Sequence, residues 1–370
     1  MKIPTRMRLL FTIPLFIISI VVWSQAPEPG TVNPETILLK NYRPHSIYKI
    51  PHSYIEKAAF PVIDMHTHDY AKTEKEIEQW INNMDECGIQ KSIVMTEASG
   101  AKFDSIVRLY SKYSSRFELW CGFDYTGFDK PGFGPSAVKE LERCYKLGAR
   151  GVGELGDKGT GESFSRPVRA SGMHVDDNRM KPLYDKCAEL RIPVNIHVAD
   201  PIWMYEKMDS TNDGLMNAYE WKIDFSKPGL IGFDALIGTL ENAVKNNPGV
   251  TFIASHFANL NHDLSRLGLL FDKYRNLYAD ISARYAESAT IPRYMKTFYE
   301  KYKDRLVYGT DMSYDTSMYR ITFRVLETND EHFYEIPLFG YHWALNGFGL
   351  SKEVLRQLYH DNAARLLNRR

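Results

Sequence analysis

From residue 61 onward the chain repeats one pattern: an amphipathic helix, a Gly or Pro break, and a short apolar segment rich in β-branched residues. Apolar positions at helical spacing predict amphipathic helices, whereas short apolar segments between breaks predict buried strands. The predicted helices are Glu74–Cys87, Ser136–Leu147, Met180–Leu190, Phe233–Asn246, Ser265–Tyr274 and Pro292–Tyr302. The eight predicted strands are 61–66, 91–96, 117–123, 149–154, 193–198, 250–255, 277–282 and 305–310.

Strands that alternate with helices, without hairpin signals, predict parallel pairing through right-handed crossovers. Eight such units close naturally into a TIM-type (β/α)8 barrel, which we predict for residues 61–370. Periodicity alone leaves a doubly wound open sheet as the alternative. Long loops follow the fourth and fifth strands, at about 155–179 and 199–232. Both leave the C-terminal strand ends, where barrel enzymes build their sites.

Residues 1–25 have the pattern of a secretory signal peptide. Basic residues precede the apolar run Leu9–Trp23, and small residues follow it at Ser24–Ala26. A membrane anchor is the weaker alternative, because the run is shorter than the roughly 20 residues needed to span a bilayer. We therefore expect a secreted or periplasmic protein with no stable membrane anchor after cleavage. Residues 26–60, rich in Pro, Asn and Tyr and without periodicity, predict an irregular N-terminal arm.

Composition is that of a globular domain, with 44% hydrophobic and 25% charged residues. Lys+Arg and Asp+Glu both number 46, so the charge balance does not indicate a nucleic-acid partner. We expect a small-molecule substrate, and a homodimer is compatible with the sequence. The four cysteines are predicted to be buried free thiols, because three lie on predicted helices too far apart for disulfides: Cys87, Cys121, Cys144 and Cys187.

Two histidines end the first predicted strand. His66 and His68 are separated by one residue, so both imidazoles point to the same side of a strand. Alone, the pair is a weak signal for metal, because two exposed loop histidines are the more common explanation. Four other strands, however, also end in a histidine or carboxylate: Glu154, His197, His256 and Asp311. Four histidines and two carboxylates are the ligand set expected for zinc or a similar divalent cation, with a position open for water.

Each of these residues also has an ordinary structural interpretation. His256 could be a buried core histidine, Glu154 could pair with Arg150, and Asp311 could cap a turn after Gly-Thr. The recurrence of such residues at matching strand ends favours a shared ion over independent structural roles. We further predict that Asp64 supports the histidine pair through hydrogen bonds.

Loop residues near the strand ends are candidates for substrate binding. Arg166, Arg169 and Arg284 could bind a carboxylate, although solvated loop arginines are common. Four aromatic residues could stack on a planar or sugar ring, although such aromatics often serve only to pack long loops: Trp203, Tyr205, Trp221 and Trp343.

The ordered pattern resembles the amidohydrolase superfamily: HxH on strand 1, a carboxylate on strand 4, histidines on strands 5 and 6, and Asp on strand 8. The segment Leu358–Leu367 resembles the amidohydrolase-related branch, also called amidohydrolase 2. The resemblance implies direct metal binding by His66, His68, His197 and Asp311. Glu154 would bridge to or hold a second ion, as in TatD-like hydrolases, and His256 would bind that ion or orient the substrate.

This resemblance implies a metal-dependent hydrolase acting on a small ester, lactone, amide or phosphoester. Asp311 would accept a proton from the attacking water, and His256 would donate a hydrogen bond to the oxyanion. One or two zinc ions are expected, with manganese as the alternative. A decarboxylase of an aromatic or muconate-like acid is the second hypothesis, but such members resemble mononuclear enzymes without a metal-binding strand-4 glutamate. A non-catalytic binding protein is a third hypothesis, although it would be expected to lose these ligands.

Overall fold

The computed structural model describes residues 33–368, which contain eight strands, each overlapping a predicted one. The strands are β1 (Val62–His68), β2 (Ile89–Met95), β3 (Phe117–Trp120), β4 (Val152–Asp157), β5 (Val194–Val198), β6 (Phe252–Ala254), β7 (Leu277–Asp280) and β8 (Leu306–Val307). All adjacent pairs are parallel, in the orders β1-β2-β3 and β4-β5-β6-β7-β8.

Backbone hydrogen bonds join these two sheets into a closed barrel. A parallel bridge between Cys121 and Val152 continues β3 into β4. On the other side, Met65 N donates to Tyr308 O at 2.9 Å and Asp311 N donates to His66 O at 2.9 Å, which connects β8 to β1. The fold is therefore the predicted TIM-type barrel and not an open sheet.

All six predicted helices are present, two of them with the predicted bounds. The α-helices are α1 (Glu74–Cys87), α2 (Gly100–Tyr110), α3 (Phe133–Lys146), α4 (Lys181–Leu190), α5 (Leu215–Trp221), α6 (Phe233–Asn246), α7 (Leu264–Lys273), α8 (Tyr285–Ser288), α9 (Pro292–Lys301), α10 (Thr316–Glu327), α11 (Ile336–Phe339), α12 (Lys352–Arg356) and α13 (Asn362–Leu367). Short 3-10 segments occur at Leu39–Asn41, Ser111–Tyr113, Asn178–Met180 and Ile202–Met204, and a π-turn at Gln357–Asp361.

The bounds of α1 have a clear local cause. Thr73 and Glu76 form a reciprocal capping box at its start, which satisfies free backbone N–H groups. Gly88 ends the helix with φ 85°, a left-handed conformation that costs glycine little. The buried face of α1, including Trp80 and Met84, packs toward the barrel.

The barrel interior separates an apolar base from a polar mouth. Its apolar cluster consists of Ile63, Met65, Ile93, Met95, Trp120, Ile253, Tyr278 and Val307. The C-terminal helix α13 packs Ala363 and Leu366 against this cluster. The C-terminal strand ends lie at the opposite, polar end, so the candidate chemistry sits above a packed core.

The N-terminal predictions are described only in part. The predicted signal peptide and residues 26–32 of the arm lie outside the described residues. Residues 33–43 form one unit, with the short helix Leu39–Asn41, and residues 44–368 form another. Residues 44–60 contain no helix or strand, and Ser53 binds Asp330 through its backbone N–H and its hydroxyl, each at 2.8 Å.

The prediction of buried free thiols is confirmed for all four cysteines: Cys87, Cys121, Cys144 and Cys187. Among the described residues, no helix combines the length and apolar character needed to cross a bilayer.

Candidate metal centre

The barrel brings together all six side chains predicted to bind metal, with Glu154 at the middle of the four histidines. Its Oε1 lies 3.4 Å from His66 Nε2, 3.0 Å from His197 Nδ1 and 3.6 Å from His256 Nε2. Its Oε2 lies 3.9 Å from His68 Nε2. Glu154 is only 4% exposed, and Arg150, the partner considered in the structural interpretation, instead donates to backbone carbonyls.

Asp311 closes the opposite side of the same cluster. Its Oδ1 lies 3.0 Å from His68 Nε2 and 3.5 Å from His66 Nε2, and its Oδ2 lies 3.4 Å from His256 Nε2. Two triads of donor atoms that could each hold one ion share His66: the first adds Glu154 and His256, the second His68 and Asp311.

A left-handed turn after β6 places His256. Four consecutive non-glycine residues, 256–259, have φ values of 59°, 56°, 55° and 54°. Each such residue costs about 1–2 kcal/mol relative to right-handed backbone, so tertiary contacts must hold the turn. One such contact comes from Asn259, whose Nδ2 donates to Val198 O at 3.0 Å and Ala199 O at 3.2 Å. The turn directs His256 Nε2 toward Glu154 and Asp311.

Every histidine of the cluster has one ring nitrogen held by an oxygen acceptor. His66 Nδ1 faces Asp280 Oδ2 at 2.9 Å, and His68 Nδ1 faces Met95 O at 3.0 Å. His197 Nε2 faces Ala199 O at 2.9 Å, and His256 Nδ1 faces Ser282 O at 2.8 Å. A nitrogen facing such an oxygen carries the proton. A metal ion at the centre would replace any second proton, such as the one between His197 Nδ1 and Glu154 Oε1, and would bind the lone pair of the other nitrogen.

These tautomers match the requirements of a metal ligand. The clearest sign is His66 Nε2, which is buried and has no hydrogen-bond partner among the described residues. A buried polar atom of this kind requires a partner, and a cation at the centre supplies one. The donor set of imidazole nitrogens and carboxylate oxygens suits zinc or a similar divalent ion.

The negative charge of the buried carboxylates in the cluster also favours binding of a cation. Burial raises the pKa of Glu154, but the charges of His197 and His66 outweigh it and hold the pKa well below its usual range. Burial lowers the pKa of His197, and Glu154 reverses this effect and raises the pKa to about 9. Buried carboxylates therefore bind positive charge here, as protons on the histidines or as a metal ion.

His256 differs from the other three histidines of the cluster, because its pKa is lowered and theirs are raised. Burial, followed by the charges of His197 and Arg284, lowers the pKa of His256 well below its usual range. The ring is therefore neutral, with its proton on Nδ1 facing Ser282 O. Its Nε2 faces Glu154 and Asp311, where it can bind an ion, and the hydrogen bond from His256 to an oxyanion stays a prediction.

Asp280 is a central residue that sequence reasoning missed. It is fully buried, and its Oδ2 accepts from His66 Nδ1 and from Asn195 Nδ2 at 3.1 Å. Its Oδ1 accepts from the backbone N–H groups of His256 at 3.0 Å and Ser282 at 3.1 Å, and from the Ser282 hydroxyl. Asp64 has the predicted supporting role: it accepts from His66 N at 3.2 Å and from Thr310.

Glu97, just beyond β2, was also missed. Its Oε1 lies 3.7 Å from His68 Nδ1, and it forms a further possible donor group with His68 and Glu154. Glu97 directly follows the predicted strand 91–96, so the rule that identified the other strand-end residues would have found it.

A cavity of about 300 Å³ opens beside the metal cluster. Its walls include His197, His256 and Asp311, and it extends to the loops after β4, β5 and β7. Other residues that line the cavity are Lys158, Asp200, Met204, Trp221, Arg284, Glu287, Phe339 and Tyr341. The volume suits a small organic molecule. The long loop after β5 contributes to this wall, as its position in the sequence predicted.

Of the three arginines predicted to bind substrate, the structure places only Arg284 on this cavity. Arg166 lies at the edge of the centre, where it pairs with Asp69 at 2.8 Å and approaches Glu97. Arg169 is 58% exposed and pairs with Glu162, because its loop turns it toward solvent.

Three of the four predicted rim aromatics, Trp203, Tyr205 and Trp343, do not line the cavity. Trp203 packs against Tyr341 and Trp343, and Tyr205 packs against Phe225 and Phe233. These contacts match the loop-packing alternative. Of the four predicted rim aromatics, only Trp221, near the end of the same loop, lines the cavity.

A TIM-type barrel with histidines and carboxylates gathered at its C-terminal mouth defines the class of metal-dependent barrel enzymes. The sequence pattern of the Amidohydrolase family matches residues 120–369, which is more than half of the chain. The chain therefore belongs to this metal-dependent family, in the branch known as amidohydrolase 2. The match begins in β3, so it includes Glu154, His197, His256 and Asp311 but not the His66–His68 pair. Comparison with curated proteins gave no match.

Solved structures share the fold at low sequence identity. An uncharacterized TIM-barrel protein from Bordetella bronchiseptica has a TM-score of 0.51 and 15% identity, covering 83% of this chain and 98% of that one. A dihydroxybenzoic acid decarboxylase from Polaromonas sp. JS666, with bound manganese, has a TM-score of 0.54 and 14% identity, covering 83% and 97%. A 5-carboxyvanillate decarboxylase from Novosphingobium aromaticivorans, also with manganese, has a TM-score of 0.50 and 14% identity, covering 85% and 98%.

Proposed function

We propose that this enzyme is a hydrolase that uses a divalent cation, with zinc as the expected ion, to cleave a small ester, lactone, amide or phosphoester. The observation that carries the proposal is the Glu154 carboxylate, which approaches all four histidines of the cluster at 3.0–3.9 Å. Glu154 and Asp311 lie on opposite sides of the histidines, and a carboxylate, unlike the single Nε2 lone pair of His66, can be shared by two ions. Two ions favour hydrolysis, because they can hold both the attacking and the leaving oxygens.

When bound, the cation lowers the pKa of water and polarises the substrate oxygen. The protein supplies the proton acceptor. Burial raises the pKa of Asp311, but the charge of His66 and the hydrogen bond and charge of His68 outweigh it, so the pKa falls below its usual value. An ionised Asp311 that is 19% exposed on the cavity wall can take a proton from attacking water and return it to the leaving group.

The test combines metal analysis with a panel of lactones, esters, amides, phosphoesters and aromatic acids. We expect hydrolysis of at least one of the first four classes by the metal-loaded protein. Asp311→Asn keeps the size of the side chain but removes the base, and should lower kcat by about 10²–10⁴-fold. Full activity of this variant would refute the role of Asp311, and the absence of hydrolysis across the panel would refute the reaction class.

Decarboxylation is the second candidate, supported by the two manganese-bound decarboxylases among the structural neighbours and by Arg284 on the cavity wall. Glu154→Gln separates the two reactions. If the enzyme is a hydrolase with two ions, the variant should lose one equivalent of metal and its activity. Retention of a single ion, with release of CO₂ from an aromatic acid in both forms, would instead establish decarboxylation.

A further inference from the structure

Glu97 lies at the mouth of the barrel beside two residues of the metal cluster. It follows β2, and Met95, two residues earlier, pairs with His68 of β1. Toward β4, Glu97 N donates to Gly153 O at 3.0 Å, and Gly153 is followed by Glu154. The backbone therefore fixes Glu97 next to a histidine and a carboxylate of the cluster.

The backbone of Glu97 has a left-handed conformation, with φ 53°, which is unfavourable for a residue with a Cβ. Two hydrogen bonds hold it there: Glu97 N donates to Gly153 O, and Arg166 N donates to Glu97 O at 2.8 Å. Conformations of this kind persist only where the surrounding structure determines them. The direction of the side chain is thus set by β4 and by the loop that follows it.

The Glu97 carboxylate is mostly buried but accepts no hydrogen bond from the described residues. Its side chain is 20% exposed, and its Oε1 lies 3.7 Å from His68 Nδ1. Its Oε2 lies 3.9 Å from Arg166 Nε, which donates its proton to Thr96 O at 3.0 Å. Both contacts of the carboxylate are longer than a hydrogen bond, so its lone pairs stay available to a cation.

The lone pairs of His66 limit where two ions can bind. Its Nδ1 is held by an acceptor at 2.9 Å, which leaves the buried Nε2 as its one free donor to a metal. The donor group of His66, Glu154 and His256 uses this nitrogen for the first ion. The group of His66, His68 and Asp311 needs the same nitrogen, so it is incomplete once the first ion is bound.

A third donor group requires no atom of His66. It contains His68, Glu97 and Glu154, and one donor atom from each residue lies within 4.8 Å of the others. Glu154 can serve both ions because its two oxygens face different histidines. Its Oε1 lies 3.4 Å from His66 Nε2, and its Oε2 lies 3.9 Å from His68 Nε2. Two ions can therefore be neighbours without sharing an imidazole.

We propose that His68, Glu97 and Glu154 form a separate site for a second divalent cation, in which Glu97 is a ligand. This inference rests on the proposed function only for the expectation of two ions. The first group offers two imidazoles and one carboxylate, whereas the second offers one imidazole and two carboxylates. Imidazole suits zinc and carboxylate suits manganese, so the second site should accept manganese more readily, relative to zinc, than the first.

The test counts the zinc ions bound by metal-free protein and measures each affinity by competition with a chromophoric chelator. The wild type should bind two ions. Glu97→Gln keeps the size of the side chain and one acceptor oxygen but removes the charge. Affinity for the second ion should fall by more than about 100-fold, which exceeds the loss of about 10- to 100-fold typical of residues that only orient a ligand. Affinity for the first ion should change by less than about 10-fold.

Electron paramagnetic resonance of the manganese-loaded protein tests whether the two ions are neighbours. Two manganese ions bridged by Glu154 should give the spectrum of a magnetically coupled pair in the wild type. Glu97→Gln should give the spectrum of an isolated ion. Two uncoupled ions in the wild type would place the second ion elsewhere and would overturn the proposal.

Glu140→Gln is a matched control for the loop that contains Glu97. Glu140 Oε1 accepts from Gly100 N at 2.7 Å, three residues beyond Glu97, but Glu140 belongs to none of the three donor groups. This variant should keep both ions. Loss of the second ion in Glu140→Gln would show that the position of the loop determines binding, and it would overturn the role of the Glu97 carboxylate.

Two further results would overturn the proposal. The first is a wild type with a single ion, and the second is Glu97→Gln with both ions at wild-type affinity, as expected if Glu97 only accepts the proton of His68 Nδ1. If Glu97→Gln does not fold, Glu97→Asp is decisive, because its shorter side chain should weaken the second ion by about 10-fold or more and unchanged affinity would refute the site. Ion counts need no turnover: two ions in the wild type and one in Glu97→Gln would support the site even if no member of the substrate panel were hydrolysed.

Discussion

Asp280→Asn tests whether the buried hydrogen bonds beneath the cluster set the metal affinity. The substitution replaces one acceptor oxygen of a fully buried side chain by an amide that donates. If the amide takes the Oδ1 position, it faces the backbone N–H groups of His256 and Ser282, which cannot reverse. Two unsatisfied donors would cost about 2–6 kcal/mol in total.

The alternative orientation places the amide against His66 Nδ1 and Asn195 Nδ2, two groups that can reverse. His66 then moves its proton to Nε2, the nitrogen that otherwise faces the centre without a partner. Before His66 can bind a metal ion through Nε2, this proton must return to Nδ1. The return costs about as much as one hydrogen bond to a charged group, about 1.5–3 kcal/mol. We therefore expect zinc affinity to fall by roughly 10- to 150-fold.

Competition with a chromophoric chelator measures this change, with thermal unfolding as a check that the variant folds. Asp330→Asn is the control, because Asp330 is also buried and accepts from Ser53 and Arg324, at a place that contributes nothing to the cluster. The reasoning fails if folded Asp280→Asn binds zinc as tightly as the wild type, or if Asp330→Asn weakens zinc binding equally.

Two further predictions concern packing and pH. A Cβ at Gly309 would lie 2.7 Å from the His66 Cβ, so Gly309→Ala should destabilise the fold by about 1–3 kcal/mol and weaken zinc binding. Gly238 lies on α6, and a Cβ added there has no atom within 4 Å, so Gly238→Ala should instead stabilise the fold by up to about 1 kcal/mol. Urea unfolding measures both variants, and equal effects of the two substitutions would contradict this account. Burial raises the pKa of Glu327 in the folded protein above that in the unfolded chain. The stability that this difference contributes is fully present below the unfolded pKa of about 4.3, and it is lost as pH rises through the pKa of the folded state. Glu327→Gln should flatten this part of the curve between pH 4 and 8, and an unchanged slope would show that another group is responsible.

The fold and most of the cluster follow from local sequence patterns. Helix and strand periodicity depend on neighbouring residues, which is why the bounds of α1 and α6 were predicted directly. Parallel strands of a barrel all end at one face, so histidines and carboxylates at five strand ends had to meet there. The same rule extends to Glu97.

Other features arise only from the tertiary structure. Residues 256–259 contain no glycine, and nothing local predicts their left-handed turn, which depends on contacts between Asn259 and the carbonyls beyond β5. Asp280 resembles an ordinary strand residue in sequence, yet its partner His66 is 214 positions away. The loop arginines differ for the same reason: Arg284 reaches the cavity and Arg169 pairs at the surface, although their sequence contexts looked equivalent.

The sequence by itself determined the alternation of strands and helices and the residue types at the strand ends, because periodicity is a local property of the chain. The tertiary structure decided that the sheet closes, through the hydrogen bonds that connect β3 to β4 and β8 to β1. Only the tertiary structure decided which nitrogen of each histidine faces the centre, since the acceptors that hold the other nitrogen come from separate strands and loops. It also decided which loop residues line the cavity, because the path of a loop depends on the neighbours that the folded chain supplies.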